Sequence, residues 1–291
     1  MGSAGVMHLF LQLHRNYLDK RKVFGELLGK KSLHLRSLAN LEISYRGTLQ
    51  LFLYATHLLG KSEANAKDTQ SSALLRLLTP VIKLFTAKLT TYFVQEAQEL
   101  FGGFGYVNDT GLGSALADCQ VNAIWEGTSN ILSLDLLRAV FKHPEGIQIF
   151  LKDAASRIKN MSKELNIAPP GSIPNDVSAS IEKLSGSFKE IEKYFISLSI
   201  AKQQTELVEA NARNLAYFLG HAVASLLLWE HSFATKQRLD FEAARRWQVG
   251  NEYSVVPTVN GTSILLTPSP EDLHFDQLLA LGSNYKPSAS L

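Results

Sequence analysis

Three small groups of residues have the chemistry of a built site. The first is Trp125-Glu126-Gly127-Thr128, a carboxylate between a bulky indole and a glycine. A tryptophan that shields a carboxylate from water raises its proton affinity, which suits a general base. Gly127 lets backbone come close to a ligand. The same glutamate also fits the first turn of a following helix, where it would complement the helix dipole. The second group is the turn Gly102-Gly103-Phe104-Gly105. It follows a helical pattern, not a strand, so the dinucleotide-binding fingerprint fails in context and a glycine C-cap is the better reading. The third group is Arg21 with Phe24, a fixed cation close to an aromatic ring, followed by Gly25. Such a pair can hold a phosphate and stack on a ring, or simply close a helix with a favourable charge.

Metal and hydrolase chemistry find no footing. The eight histidines show no metal-ligand spacing with the lone Cys119, so no metal site is expected. No nucleophile elbow, SxxK pair or phosphate loop is present. One cysteine excludes an internal disulfide and fits a reducing compartment. The net charge of +2 gives no bulk electrostatic reason for nucleic-acid binding. Arg238, Arg245 and Arg246 alternate with Asp240 and Glu242 and read as a solvated helix face. No apolar run reaches the ~18 residues of a membrane span. No targeting signal is visible, so the expected location is intracellular, in cytoplasm or mitochondrion, with the peroxisome as a further candidate.

The elements that must carry these groups are helices, and the expected class is all-α. In 291 residues, 45% are hydrophobic and 19% charged, enough apolar surface for a sizeable core. Residues 4–23 place Val6, Leu9, Leu13, Tyr17 and Leu18 near one face, with Gly25 as the stop. Residues 34–59 form a second helix ended by Gly60, and 61–70 a loop. Residues 72–100 form a third. Pro80 either follows a Thr79 cap at a fresh start or kinks the helix. A short helix over 131–141 is closed by His143-Pro144. The chain then turns more polar: a helix over 145–166, a proline-rich linker over 168–175, and long helices over 176–194 and 195–247. Residues 250–291 read as an irregular tail, with a candidate hairpin around Asn260-Gly261. The expected domains are 1–143, a helical bundle; 144–249, a helical extension; and 250–291, the tail.

Taken together, Arg21-x-x-Phe24-Gly25, the GGxGY turn (Gly102, Gly103, Gly105, Tyr106) and the EGT turn (Glu126, Gly127, Thr128) resemble the acyl-CoA dehydrogenase family. The resemblance covers that family's C-terminal helical bundle, over residues 2 to about 141. The form Trp125–Asn130 and the long extension look like the AidB-like, alkylation-response branch. The family's N-terminal and middle domains have no counterpart here. The resemblance implies FAD as cofactor and an acyl-CoA thioester as substrate. It implies an electron-accepting flavoprotein as a partner and a dimer or tetramer as the assembly. Residue by residue, it implies Glu126 as the base for the α-proton and Gly127 beside the thioester. Thr128 and Asn130 are implied as flavin contacts. Arg21, Phe24, Gly102 and Gly103 are implied to reach the FAD of a neighbouring subunit. Glu99 stands at a further cofactor position, where the family usually has glutamine, and Ala117-Asp118-Cys119 replaces the usual Arg-Asp-Ala. Two other expectations compete with the dehydrogenase reading: an inactive helical oligomerisation or regulatory module, and a DNA-associated AidB-like protein.

Overall fold

A computed structural model describes residues 2–200, 205–250 and 269–282. The first helix, α1 (Gly2–Leu18), buries Met7, Phe10, Leu11, His14 and Leu18 along one stripe. The stripe is rotated from the expected one, because Leu9 and Leu13 lie on the exposed side. Arg21 to Gly25 are not a last helical turn. Lys22–Val23 (β1) and Glu26–Leu27 (β2) pair as a minimal antiparallel hairpin. Its two turn residues, Phe24 and Gly25, have φ of 49° and 81°, the left-handed pair that a two-residue hairpin turn requires.

Helix α2 (Ser32–Ala64) runs through Gly60 instead of ending there. An interior glycine costs a helix only about 1 kcal/mol, less than the packing of this long helix returns. Helix α3 (Thr69–Leu100) is the axis of the molecule. Asp68 caps its start by accepting the Ser71 N–H at 2.9 Å. It continues through Pro80, which is buried, so Thr79 starts no new helix. Its near face buries Leu78, Ile82, Phe85, Leu89, Phe93 and Ala97, as the periodicity predicts.

Past α3 come the short turn α4 (Gly103–Tyr106), α5 (Leu112–Val121) and α6 (Ser129–Lys142), then α7 (Pro144–Ile167) with Pro144 in its first turn. Helix α8 (Val177–Ile200) crosses the break expected at 194–195. The long helix expected over 195–247 is divided into α9 (Thr205–Ala210), α10 (Ala212–Thr235) and α11 (Arg238–Val249). Lys236, with φ of 57°, makes the corner between α10 and α11.

The tail is not irregular throughout. Ser269 and Asp272 form a complete capping box that opens α12 (Pro270–Leu281). The candidate hairpin around Asn260 lies outside the described residues. The all-α class stands, with twelve α-helices among the described residues and only the small hairpin as sheet.

One hydrophobic cluster runs from Met7 in α1 to Leu279 in α12 and crosses residue 143 without a gap. The joint between the early and late helices is a four-helix crossing. Trp247 of α11 lies over Gly47 of α2, where a Cβ would come 2.4 Å from the indole. Phe85 of α3 lies over Gly220 of α10, where a Cβ would come 2.6 Å from the ring. The Phe85 and Trp247 rings meet edge to face at 6.1 Å.

A buried ion network fastens the same region. Glu42 takes Arg15 and Arg46, each at 2.9 Å, and Arg46 also takes Asp240 at 2.7 Å. Arg246 takes Glu242 at 2.5 Å and closes on Asp276 of α12, which is 1% exposed. Arg245 and Arg246 are therefore not a solvated face, whereas Arg238 stays exposed and pairs with the exposed Glu271. Arg245 and Arg246 are held by Glu242 and α12 carboxylates, and Arg246 is largely buried.

Candidate functional site

Helix α3 sorts the candidate residues into two stations. At its C-terminal end, α1 lies alongside. The His14 Nε2–H donates to the Ala97 carbonyl at 2.7 Å, and the Tyr17 hydroxyl donates to the Phe101 carbonyl at 3.2 Å. These satisfy carbonyls that a helix end leaves without a partner. The rings of His14 and Phe101 stack at 3.8 Å and those of Tyr17 and Phe104 at 6.0 Å. Burial holds His14 well below its usual range, at about 3, with His34 and Arg15 adding to the effect.

This end carries Arg21, Phe24, Glu99, Gly102 and Gly103. All five are exposed, and Phe24 is 99% so, at the tip of the hairpin. A bulky residue held at positive φ with its ring fully in water has no packing reason to be there. Gly102 has φ of 61°, and space around it and Gly103 is open. Gly105 is tightly packed instead: a Cβ would come 2.1 Å from the Gln98 carbonyl oxygen. The Glu99 carbonyl accepts the Gly102 N–H at 2.8 Å, so the Glu99 backbone belongs to the same turn. A shallow hollow lies here between Glu99, Gly102, Tyr106, Asn108 and Leu116.

The other station is Trp125–Asn130. Helix α5 leads back from the glycine turn along α3, and the Gln98 amide fastens its start by donating to the Leu112 carbonyl. The chain then makes a second turn in which Glu126 has φ of 51° and Gly127 φ of 104°. Lys83 of α3 holds this turn. Its Nζ donates to the carbonyls of Trp125 and Gly127, each at 2.7 Å. Thr128 is the N-cap of α6, and its hydroxyl makes no capping bond. Asn130 accepts from Arg213 of α10 at 3.4 Å. Trp125 is 57% exposed and Glu126 is exposed. The apolar enclosure expected of Trp125 is therefore absent among the described residues. Ile124 and Ile131 are exposed beside it, which makes an apolar apron around the carboxylate.

The two stations are not one pocket. Lys83 and Leu100 lie seventeen residues apart on α3, so at about 1.5 Å per residue the separation is roughly 25 Å along the axis. The structure joins Glu126, Gly127, Thr128 and Asn130 at one place, and Arg21, Phe24, Glu99, Gly102 and Gly103 at another.

Two residues that sequence motifs do not flag sit at the Glu126 station. Lys83 reads as an interruption in an apolar helix, and Arg213 belongs to the extension. Neither has a local pattern to find it by. Their roles depend on long-range packing of α3 and α10 on the turn.

An exposed arginine, a projecting ring and an open glycine turn form a set that fits an anionic, ring-bearing ligand. Arg21 makes no ion pair with any described residue. The free Thr128 hydroxyl and the glycine at φ of 104° beside Glu126 fit a ligand approached by backbone. Among the described residues, no group of three or more His, Cys, Asp or Glu could hold a metal ion. Among the described residues, only α3 is long and apolar enough to cross a membrane, and most of its apolar window is buried inside the protein.

Comparison with known proteins gives a consistent picture. The family described as "Acyl-CoA dehydrogenase, C-terminal domain" matches residues 1–141. "Acyl-CoA dehydrogenase 11 C-terminal domain-like" matches residues 147–264. Acyl-CoA dehydrogenase family member 11 of Caenorhabditis elegans is 36% identical over 251 residues, which are 85% of this chain and 39% of that protein. The crystal structure of Caenorhabditis elegans ACDH-11 in complex with C11-CoA superposes with a TM-score of 0.78 at 32% identity, over 88% of this chain and 42% of that one. The putative acyl-CoA dehydrogenase AidB of Escherichia coli is 29% identical over 56% of this chain and 29% of its own length. The chain thus spans about two-fifths or less of the length of these relatives.

Proposed function

This chain belongs to the acyl-CoA dehydrogenase family, through that family's C-terminal helical domain, and on that premise we propose that it carries the base and part of the cofactor site for α,β-dehydrogenation of an acyl-CoA thioester. FAD, when bound, supplies the hydride acceptor. The chain's own residues do the rest of the work assigned here. Glu126 takes the α-proton onto its carboxylate. Gly127, without a side chain, lets the thioester approach. Thr128 and Asn130 face the flavin, while Arg21, Phe24, Glu99, Gly102 and Gly103 address the dinucleotide of a neighbouring subunit.

The observation that carries this reading is the Glu126 turn. An exposed carboxylate sits in a left-handed conformation that a glutamate does not adopt without outside support, and α3 supplies that support through Lys83. The roughly 25 Å between the stations supports sharing between subunits. If each subunit offers Glu126 to one flavin and Arg21 to another, the two stations have no reason to meet within one chain. The apron of Ile124, Trp125 and Ile131 supports an apolar cover over the base that the described residues do not supply. Such a cover would exclude water and raise the basicity of the carboxylate.

The test is anaerobic mixing of the flavin-loaded protein with a saturated acyl-CoA. Bleaching of flavin absorbance is expected, and Glu126→Gln should slow it by roughly 10²–10⁴-fold, the usual contribution of a positioned base. Equal bleaching rates in the two proteins would remove Glu126 from the mechanism. The exposed aromatic and aliphatic apron also favours a second reading, a helical oligomerisation module without turnover. A protein that takes up no flavin yet self-associates would establish that alternative. The α11 arginines are engaged by carboxylates, and this leaves little to favour a DNA-associated role.

A further inference from the structure

We propose that Lys83 is the positioning residue for Glu126: its ammonium bridges the carbonyls on either side of the glutamate and so holds the turn that presents the carboxylate. This rests on the dehydrogenase reading of Glu126 given above.

The two acceptors are Trp125 O and Gly127 O, the carbonyls of the residues flanking Glu126, and both are 2.7 Å from Nζ. Two carbonyls two residues apart converge on one point only when the backbone between them is sharply turned. Here the intervening residue has φ of 51° and the next has φ of 104°. That conformation is unfavourable for a residue with a side chain, and two hydrogen bonds from a charged donor oppose the strain.

Nothing else among the described contacts does this. The Trp125 N–H bonds back to Val121 O at 3.0 Å and ends α5, while the Thr128 carbonyl accepts from Leu132 and begins α6. Glu126 lies in the gap between these two helices, bridged only from α3. Lys83 is partly desolvated in this position, which lowers its proton affinity, while the Glu126 charge favours the ammonium. The lysine stem crosses from a rigid, buried helix, so the carboxylate is referenced to the core of the molecule and not to a loop. Gly127 closes the arrangement from the other side. A Cβ there would meet the Leu132 side chain at 3.3 Å in a conformation already strained for any other residue.

The experiment compares Lys83→Met, which keeps the stem and removes the donors, with Lys83→Arg, which keeps charge and donors. Lys83→Gln replaces the methionine variant if that protein does not fold. Amide hydrogen exchange over residues 124–128 should rise roughly tenfold or more in Lys83→Met, as loss of two charged hydrogen bonds implies. It should stay near the parent rate in Lys83→Arg, with exchange in the core of α3 unchanged in both. Unaltered exchange at 124–128 in Lys83→Met would overturn the proposal. In flavin-loaded protein, Lys83→Met should slow acyl-CoA bleaching while leaving the half-saturating acyl-CoA concentration in place. Bleaching at the parent rate would also overturn it. If the parent protein itself does not bleach, the dehydrogenase reading fails, and the exchange experiment alone decides whether Lys83 holds the turn.

Discussion

At the scale of single residues, the histidines give the sharpest prediction away from the site. His14 and His221 are both buried and held low, at about 3 and about 4 against an ordinary 6.5. His221 stacks on Trp247 at 5.3 Å and bonds the Trp247 carbonyl. Burial is the leading cause in each case. The folded state keeps these rings neutral, while the unfolded chain protonates them below pH 6.5. The unfolded state therefore binds more protons between each lowered value and 6.5. Stability is complete above pH 6.5 and is lost as pH falls through that window, by about 1.4 kcal/mol per pH unit per histidine. Urea unfolding at pH 7, 6 and 5 should show the decline. His14→Gln, which retains a donor for the Ala97 carbonyl but does not titrate, should flatten part of it. Identical slopes in the two proteins would show that His14 does not titrate as argued.

At the scale of elements, glycines separate packing from punctuation. Gly47→Ala forces a methyl into the Trp247 ring and should lower stability by about 1–3 kcal/mol, the usual cost of overpacking. Trp247→Leu should relieve part of that loss in the double variant. Gly60→Ala has open space around its Cβ inside α2 and should stabilise by about 0.5–1 kcal/mol. Denaturant midpoints measure both, and a destabilised Gly60→Ala would mean that the helix does not pass through that residue as seen. These glycines also show why boundaries were partly illegible in the sequence. Gly60 and Gly25 look alike in a string of letters, yet one sits inside a helix and the other at a hairpin tip. Helix α12 was hidden for a different reason. Its buried positions include Asp276, paired with Arg246 of α11, and a carboxylate in a buried slot breaks the apolar rhythm that reveals a helix. Arg245 and Arg246 misled in the same way, because their partners lie on another element.

At the scale of the whole molecule, the three motifs and the helical class were legible because each depends on local spacing. The separation of the stations was not, since it depends on α5 running back along α3. That separation has a consequence for assembly. Phe24 is 99% exposed and packs on no described residue, so Phe24→Ser should leave the unfolding transition of the isolated chain within about 0.5 kcal/mol of the parent. If the ring serves a neighbouring subunit, the same change should weaken concentration-dependent self-association measured by light scattering. Equal association in both proteins would place Phe24 outside the interface. The ion network closes the molecule at a much greater sequence distance: Arg15 of α1 donates to the carbonyl of Ala280 in α12 at 3.0 Å. A nascent chain that has emitted only the dehydrogenase-like bundle therefore still lacks a lasting cover for Glu42 and Arg46. At roughly 5–20 residues per second, α12 follows on the order of ten seconds later. During synthesis the early helices must wait for the last described one before their core is sealed, a delay in which a chaperone would find them open.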